Sequence, residues 1–357
     1  MIKVLHYAPG FRSGGIESRM LDWYRNMDRN KVQFVLVKLN SQDDTPYIRE
    51  LLALGGKCYN LPSFDLKHAF GFERKLINII KTEKIDIVHV HDPNSGLFAL
   101  RAANKCNIPC RILHSRTTAF LPNEKNVLIK KTLMKHTPKY ATDYWACSKE
   151  AGLWGCGKEH KNDVVVINNG IQDELFIFDE KKRNELREEL HIQDKIVVGS
   201  IGRLSPQKNI PFLLDIMSKL IEKNRDYVLF LVGEGDESII NNYYINTKDI
   251  SSNVILAGPK KNVWDYYMAM DVFCGTSLYE GFGTTAIEAQ ATGVPTLLSK
   301  AFPPVVEVTS FVRRLETNDV MPWIDNIHLY EGKRFPEEGI NGVINHGYSA
   351  HKVVTAK

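Results

Sequence analysis

Short apolar runs rich in Val and Ile alternate with amphipathic stretches through the first half of the chain. The runs have the length of buried strands, and the stretches have the apolar spacing of helices. Strands are predicted at Ile2–Tyr7, Gln33–Leu39, Asp86–Val90, Arg111–His114, Tyr144–Cys147 and Val164–Ile167. Helices are predicted at Ile16–Met27, Tyr47–Leu54, Phe72–Lys81, Gly96–Lys105 and Asn126–His136. This alternation predicts a parallel sheet with helices on both faces.

The alternation restarts after Asn168-Asn169-Gly170, which is a strong turn signal. A charged helix is predicted around Lys181–Leu190. Further strands are predicted at Ile196–Ile201, Tyr227–Val232, Val254–Leu256, Val272–Gly275 and Pro295–Leu298, and helices near Ile210–Lys223, Ser238–Thr247, Val263–Met268 and Thr284–Ala291. The pattern therefore predicts two α/β domains, residues 1–168 and 169–345. It weakens after Ser299, and the last stretch, about His346–Lys357, is a candidate terminal helix.

The composition is that of a globular protein of two domains. The chain has 357 residues, of which 43% are hydrophobic and 25% charged. No apolar run approaches the roughly 20 residues of a membrane span, and the N-terminus lacks the features of a signal peptide. We therefore expect a cytoplasmic protein. Cys106 and Cys110 have a metal-like separation, but no second ligand pair follows, so reduced thiols are favoured over zinc.

Charge is distributed unevenly between the halves. Residues 1–168 carry 26 basic and 16 acidic side chains, a net charge of +10, whereas the remainder has a net charge of −6. Such asymmetry is typical of a basic half that faces an anionic membrane surface, a phosphorylated acceptor or nucleic acid, although an unevenly charged solvated surface is equally compatible. No recognised nucleic-acid motif or aromatic-basic stripe is present, which argues against nucleic acid.

Three strand-to-helix loops are candidate anion sites. Residues 10–17 form a glycine-containing loop after the first strand, where backbone amides could approach a phosphate, although a tight turn is equally plausible. Residues 202–209 place Arg203 and Lys208 five residues apart, so both could reach one diphosphate; exposed loop charges are the alternative.

The third loop, residues 279–291, contains Glu280 and Glu288 in an E-x7-E spacing. Its glycines would leave amides free at a helix N-terminus, which suits a phosphate. The two carboxylates could accept hydrogen bonds from ribose or sugar hydroxyls. A capped helix with acidic residues near its start is the alternative for this segment taken alone.

Taken together, these segments resemble the retaining GT-B glycosyltransferases of family four, and most closely the bacterial capsular and exopolysaccharide branch. The resemblance rests on Gly14-Gly15-Ile16-Glu17, Asn168-Asn169-Gly170-Ile171, Gly202-Arg203 with Lys208, and Glu280…Glu288. It implies two Rossmann-like parallel-sheet domains facing across a cleft, with the sugar nucleotide mainly on the second. It also implies a C-terminal helix that packs back on the first domain.

The resemblance implies roles for individual residues. Arg203 and Lys208 would hold the donor diphosphate, Glu280 would stabilise the reacting sugar, and Glu288 would bind the ribose. The expected donor-binding residues are Gly14, Gly15, Arg203, Lys208, Glu280, Gly281, Phe282, Gly283, Thr284, Thr285 and Glu288. In the segment Ile112-Leu113-His114-Ser115-Arg116, His114 matches a catalytic histidine beside the transferred sugar.

Other positions differ from the family pattern or are less distinctive. Arg116 replaces a second His that is common in the branch, which bears on the acceptor. His91 and Asp92 end a predicted strand and are candidate acceptor-side residues, whereas His89 is expected to be a packed core residue. Thr284-Thr285 replaces apolar residues, and Phe302-Pro303-Pro304 replaces a glycine-rich turn, which bears on the donor sugar.

The implied reaction is metal-independent transfer of a sugar from a nucleoside diphosphate sugar, with UDP favoured, to a saccharide hydroxyl with retention. The donor is a substrate, and no separate cofactor is expected. A lipid-diphosphate-linked acceptor would place the protein peripherally on the inner membrane face. Two alternatives remain open: a sugar-nucleotide epimerase of the same fold, and a non-catalytic subunit that only binds.

Overall fold

The structure, a computed structural model, describes residues 1–9, 11, 15–39, 45–62, 69–120, 126–241 and 250–351. The chain divides into two compact units: one contains Met1–Gly170 and the segment from Ala350, and the other contains Ile171–Ser349. Each unit contains one sheet whose strands are all parallel. The prediction of two parallel-sheet, Rossmann-like domains is therefore confirmed.

The first sheet has seven strands in the order β3-β2-β1-β4-β5-β6-β7. The strands are β1 (Ile2–Tyr7), β2 (Val32–Leu39), β3 (Lys57–Leu61), β4 (Ile87–Val90), β5 (Cys110–Ser115), β6 (Asp143–Ala146) and β7 (Val164–Val166). The helices are α1 (Gly15–Asn26), α2 (Pro46–Ala53), α3 (Ala69–Glu83), α4 (Leu97–Lys105), α5 (Val127–His136) and α6 (Lys149–Gly155). One face of the sheet packs against α3 and α4, and the other packs against α1 and α2.

The second sheet has six strands in the order β10-β9-β8-β11-β12-β13. The strands are β8 (Ile196–Ile201), β9 (Tyr227–Val232), β10 (Val254–Gly258), β11 (Val272–Gly275), β12 (Thr296–Ser299) and β13 (Val312–Leu315). The helices are α7 (Glu180–Glu189), α8 (Ile210–Lys223), α9 (Val263–Ala269), α10 (Thr284–Ala291), α11 (Met321–Tyr330) and α12 (Pro336–Asn345). Its interior strand β9, between β10 and β8, is buried along its whole length, as expected for a strand covered on both faces.

The predicted strands agree with the structure to within two residues, whereas several elements are additional. The additional elements are β3, α6, β13, α11 and α12. Pro322 and Pro336 lie in the first turns of α11 and α12. The N–H of a first-turn residue has no hydrogen-bond acceptor within the helix. Proline is therefore tolerated there, and it starts these helices instead of breaking them.

The end of the second unit differs from the predicted terminal helix. His346 and Gly347 form a turn, and Ser349 pairs with Ile171 in a parallel bridge. The amide of Ile171 also donates to the carbonyl of Tyr348 at 2.7 Å. Helical backbone begins only at Ala350, and residues 352–357 lie outside the described residues, as does most of the helix predicted at Ser238–Thr247. Among the helices that the structure describes, none has both the length and the apolar character needed to cross a bilayer.

Candidate functional site

Lys208 and Glu280 form an ion pair in the second unit. Lys208 Nζ lies 2.7 Å from Glu280 Oε1, and their side chains are 19% and 9% exposed. Ser277 Oγ donates to the same carboxylate oxygen at 2.8 Å. The two residues come from the loops after β8 and β11, which are neighbours in the sheet. Because ligands of parallel sheets bind at the carboxyl ends of the strands, this pair lies where a ligand is expected.

The two loops are joined by hydrogen bonds as well as by the ion pair. Thr276 Oγ1 donates to the carbonyl of Lys208 at 2.9 Å, and the side-chain amide of Gln207 donates to the carbonyl of Tyr279 at 3.0 Å. These hydrogen bonds, each from a side chain to a backbone carbonyl, fix Lys208 relative to the loop that carries Glu280. Arg203 belongs to the same loop as Lys208, but its side chain is exposed.

The loop after β8 also packs closely against the end of β9. Gly233 has a φ of +143°, and a Cβ there would lie 2.0 Å from the carbonyl oxygen of Gly202. A Cβ on Gly202 would in turn lie 3.0 Å from Cε of Lys208. Gly233 is not among the residues predicted from the sequence, although Gly233-Glu234-Gly235 directly follows a strand, a position where glycine often marks a close backbone approach.

The N-terminus of α10 lies in the segment that follows Glu280. Gly283 is its N-cap, with a left-handed φ of +87°. Phe282 is buried with its ring 5.3 Å from that of Tyr348, and Phe302 occupies the space where a Gly283 Cβ would lie. The first amides of a helix have no intrahelical acceptor, so those of Thr284 and Thr285 can donate to an anion.

The remaining donor-side residues are only partly accessible. Gly281, Thr284, Thr285 and Glu288 are half-buried. Tyr267 OH donates to Glu288 Oε2 at 2.9 Å, an orienting contact that the sequence did not reveal. Phe302 belongs to the Phe302-Pro303-Pro304 segment that replaces a glycine-rich turn of the family. It also lies close to Gly275, where a Cβ would be 2.9 Å from Cζ of Phe302. That aromatic ring therefore packs against both β11 and the start of α10.

The first unit contains a cluster of four buried histidines. We define the histidine cluster as His6 of β1, His91 just after β4, His89 of β4 and His114 of β5. All four are at most 3% exposed. His6 pairs in register with His89 on the neighbouring parallel strand, and the rings of His89 and His91 are 4.1 Å apart. They lie on the sheet face covered by α1, whose Trp23 stacks over His89 and His114 at 6.1 Å.

Hydrogen bonds connect the cluster in two pairs. His6 Nδ1 lies 2.9 Å from His91 Nε2, and His89 Nε2 lies 3.0 Å from His114 Nδ1. Nε2 of His6 and Nε2 of His114 are buried and have no hydrogen-bond partner in the part of the chain that the structure describes. The sequence pointed to His89, His91 and His114 but missed His6, which the strand register alone brings to the group.

Arg116 contacts this cluster, and Asp92 is hydrogen-bonded to the loop that follows it. Arg116 Nε is 3.2 Å from His91 Nδ1, Nη1 is 3.2 Å from Asn169 Oδ1, and the guanidinium carbon lies 5.0 Å from the centre of the Trp23 ring. Asp92 accepts instead from the Asn94 amide at 3.0 Å and from Ser95 Oγ at 2.6 Å. Of the three acceptor-side candidates, His91 and Arg116 are therefore in direct contact with each other.

Burial keeps the histidine cluster neutral. Desolvation is the largest cause in each case and lowers the pKa of His6 to about 3. It lowers the pKa of His89, His91 and His114 well below the usual value, and the nearby charge of Arg116 acts in the same direction. An uncharged imidazole can donate from one nitrogen and accept at the other.

These shifts predict that the first unit loses stability in mild acid. Below about pH 6.5 the unfolded chain takes up protons on these histidines, whereas folded His6 stays neutral until about pH 3. The stabilisation is therefore complete above pH 6.5 and declines as the pH falls toward 3, by up to about 1.4 kcal/mol per pH unit and histidine. Urea unfolding between pH 7.5 and 5.5 measures this slope.

A matched pair of variants isolates the contribution of burial to that slope. His6→Gln should flatten it, whereas His136→Gln, which replaces an exposed histidine on α5, should leave it unchanged. Equal slopes in both variants would contradict the argument. Urea unfolding of the two proteins side by side makes the comparison.

Part of the glycine-containing loop at residues 10–17 cannot be placed. Gly10 and residues 12–14, including the predicted donor-binding Gly14, lie outside the described residues, whereas Gly15 begins α1. The end of the loop that follows Arg116, residues 121–125, is likewise outside them.

Comparison with known proteins identifies the family of this chain. The family model "Glycosyltransferase Family 4" matches residues 13–175, and "Glycosyl transferases group 1" matches residues 181–318. The putative glycosyltransferase EpsF of Bacillus subtilis is 30% identical over 334 residues, covering 91% of this chain and 86% of EpsF. An Escherichia coli protein named UDP-Gal:alpha-D-GlcNAc-diphosphoundecaprenol alpha-1,3-galactosyltransferase is 29% identical, covering 63% and 60% of the two chains.

Solved structures agree in fold along the whole chain. Anabaena HepE in complex with UDP-glucose superposes with a TM-score of 0.82 at 17% identity, covering 100% of this chain and 98% of HepE. TarM of S. aureus, in complex with UDP among other ligands, gives a TM-score of 0.73 at 11% identity, covering 99% and 98%. With its two parallel-sheet domains and its similarity to EpsF, the chain belongs to the GT-B glycosyltransferases.

Proposed function

We propose that this glycosyltransferase moves a sugar from a UDP-sugar to a hydroxyl of a saccharide acceptor in surface polysaccharide synthesis, with retention at the anomeric carbon. The observation that carries the proposal is the Lys208–Glu280 ion pair. Its Glu280 lies in the loop that leads into the N-terminus of α10. Support for the nucleotide comes from HepE, whose structures contain UDP and UDP-glucose, and from the E. coli relative named for UDP-Gal.

The chemical demand is to stabilise a departing diphosphate and a positively charged, oxocarbenium-like sugar. Lys208 would move from Glu280 to the diphosphate, with the exposed Arg203 and the first amides of α10 adding positive charge. Glu280, released from Lys208, would face the donor sugar, and Glu288 would accept from the ribose hydroxyls. These groups supply the needed charge without a metal.

The proposed acceptor is a saccharide carried on a lipid diphosphate. The E. coli relative is named for a diphosphoundecaprenol-linked substrate, and the first 168 residues carry a net charge of +10. His114 remains the proposed residue beside the transferred sugar, and its unpartnered Nε2 is the atom available for that contact. Retention rests on the family resemblance.

Nucleotide binding is the most direct test of this proposal. Thermal unfolding is measured with UDP, GDP, ADP and NAD, each with and without a chelator. UDP at about 100 times its dissociation constant should stabilise the protein by roughly 2.7 kcal/mol. At about 2–4 °C per kcal/mol, the melting temperature should rise by several degrees and should do so in the presence of chelator. A response to NAD alone, or to none of the four, would overturn the proposal.

A lipid-linked acceptor also predicts binding to anionic membranes. At low salt the protein should cosediment with vesicles that contain an anionic lipid, and salt should release it because the attraction is screened. Neutral vesicles of the same size are the control. Failure to cosediment with anionic vesicles at low salt would exclude the peripheral membrane contact.

A further inference from the structure

Arg116 is an unusual arginine because part of its guanidinium is buried without a partner. Its Nη2 is buried and makes no hydrogen bond to any of the described residues, although the side chain as a whole is partly accessible. Across the described part of the chain, no carboxylate oxygen lies within salt-bridge distance of it. Burial lowers the pKa of Arg116 to about 10, so the group still carries its charge at neutral pH. A buried donor without an acceptor destabilises the folded protein, and more so when the donor is charged.

The other sides of the guanidinium are held firmly. His91 accepts from Nε, Asn169 accepts from Nη1, and Trp23 lies against its face. These three contacts come from the end of β4, the chain after β7 and α1. The planar group is therefore fixed in orientation, and within the described ranges the edge carrying Nη2 has no acceptor.

The contact with His91 also fixes the protons of two histidines. Arginine nitrogens can only donate, so His91 Nδ1 must be the acceptor. The proton of neutral His91 is then on Nε2, which donates to His6 Nδ1. His6 must in turn carry its proton on Nε2. Arg116 donates to His91, and His91 donates to His6. These two hydrogen bonds run in one direction and orient the Nε side of the Arg116 guanidinium.

The same proton arrangement disfavours a metal at this place. His6, His89 and His91 bring ligand nitrogens within 4.8 Å of one another, a spacing that could hold an ion. A metal on His91 would displace either the Arg116 contact at Nδ1 or the proton on Nε2. It would also add charge beside a buried guanidinium, with neutral imidazoles as its only ligands. The geometry therefore favours hydrogen bonding over metal binding for His6, His89 and His91.

We propose that Arg116 binds an oxyanion of the acceptor through Nη2, while His91, His6, Asn169 and Trp23 act as positioning residues for its guanidinium. The inference rests on the proposed function for the identity of the ligand as an acceptor group. Planar guanidinium groups bind phosphate and carboxylate oxygens well, so the anion is a phosphate of a lipid diphosphate or a carboxylate of an acidic sugar.

The test separates the acceptor anion from the donor site. UDP binding is first measured for every variant, and inorganic pyrophosphate or glucuronate is then titrated into UDP-saturated protein. Arg116→Gln should weaken binding of one of these probes by about 10- to 100-fold, as expected for a charged hydrogen bond. Arg74→Gln removes an exposed arginine of α3 and should leave probe binding within twofold of the parent. If Arg116→Gln weakens binding of pyrophosphate, the ligand is a phosphate. If it weakens binding of glucuronate, the ligand is a carboxylate.

The outcomes distinguish failure of this inference from failure of the proposed function. If UDP does not bind, the proposed function is wrong whatever Arg116 does. If UDP binds but neither probe depends on Arg116, the anion site is wrong and the proposed function stands. Circular dichroism and melting temperatures of the variants exclude misfolding as the cause of lost binding.

A spectroscopic measurement tests the positioning role independently of activity. In protein labelled with ¹⁵N-histidine, His91 should show a protonated Nε2 and an unprotonated Nδ1. Arg116→Met removes the donor, so the His91 tautomer should shift or become mixed. An unchanged tautomer would contradict the positioning role. Stoichiometric zinc binding that perturbs His6, His89 and His91 together would replace this inference with a metal site.

Discussion

Replacing Lys208 with alanine should lower the rate of sugar transfer by about 10²–10³-fold, the loss typical of removing one preorganised charge-stabilising group. Lys208 Nζ lies 2.7 Å from Glu280 Oε1, and Lys208 belongs to the loop at the carboxyl end of β8. The loss should appear in kcat as well as in kcat/KM, because charge on the leaving diphosphate increases in the transition state. Transfer of label from a UDP-sugar to an acceptor measures it.

Lys300 offers a matched control for that substitution. Lys300 Nζ pairs with Glu316 at 2.8 Å in the same unit, but both side chains are more than half exposed. Lys300→Ala should therefore retain the parent transfer rate. Lys208→Ala also leaves the Glu280 carboxylate without its cation, so a loss of stability must be separated from a loss of chemistry.

The double variant Lys208→Met/Glu280→Gln makes that separation. The double variant removes both charges of this partly buried pair and so does not leave a charged Glu280 without Lys208, and its melting temperature should therefore exceed that of Lys208→Ala. Its transfer rate should remain low. Parent-like transfer by Lys208→Ala, or recovery of transfer in the double variant, would show that the pair is structural and does not take part in the reaction.

Replacing Gly233 with alanine should destabilise the second unit by about 3 kcal/mol, the upper part of the range for a strained backbone position. Its φ of +143° is unfavourable for alanine, and the new Cβ would lie 2.0 Å from the carbonyl oxygen of Gly202. Backbone atoms cannot move aside as a flexible side chain can. Because Gly202 lies beside Lys208, UDP affinity should fall as well. Urea unfolding and UDP titration measure the two effects.

Gly332 separates the steric contact from the backbone strain. It also has a positive φ, +68°, but a Cβ there would meet nothing within 4 Å. Gly332→Ala should cost only about 1–2 kcal/mol, the usual penalty for a left-handed residue with a side chain, and should leave UDP affinity unchanged. Equal effects of the two substitutions on UDP binding would mean that the Gly202–Gly233 contact does not position the donor loop.

The strands were predictable because apolar runs in a doubly covered parallel sheet are nearly continuous. Glu280 and Lys208 could also be singled out, since each follows a strand and such loops converge at one edge of a sheet. Their direct ion pair required the strand order, in which β8 and β11 are neighbours although 70 residues separate the strands. Periodicity along one segment contains no information on that order.

His6 shows why part of the first unit could not be predicted. A histidine in the apolar segment Ile2–Tyr7 looks like an isolated polar substitution in a buried strand. Only the register of β1 with β4 places it opposite His89, and its contact with His91 appears only in the folded structure. The helices α11 and α12 were missed for a local reason, because a proline in a first turn cannot be distinguished from a helix-breaking proline without knowing where the helix begins.

The bridge between Ile171 and Ser349 brings the two ends of the second unit together. Because the first and last residues of this unit lie side by side, the polypeptide enters and leaves it at one place. Domains whose ends lie close together tolerate insertion into other chains. We expect that the corresponding unit of a related enzyme can be exchanged at these two positions without altering the spacing of the junctions, and the donor preference of such a hybrid would test the proposed assignment of the donor site to the second unit.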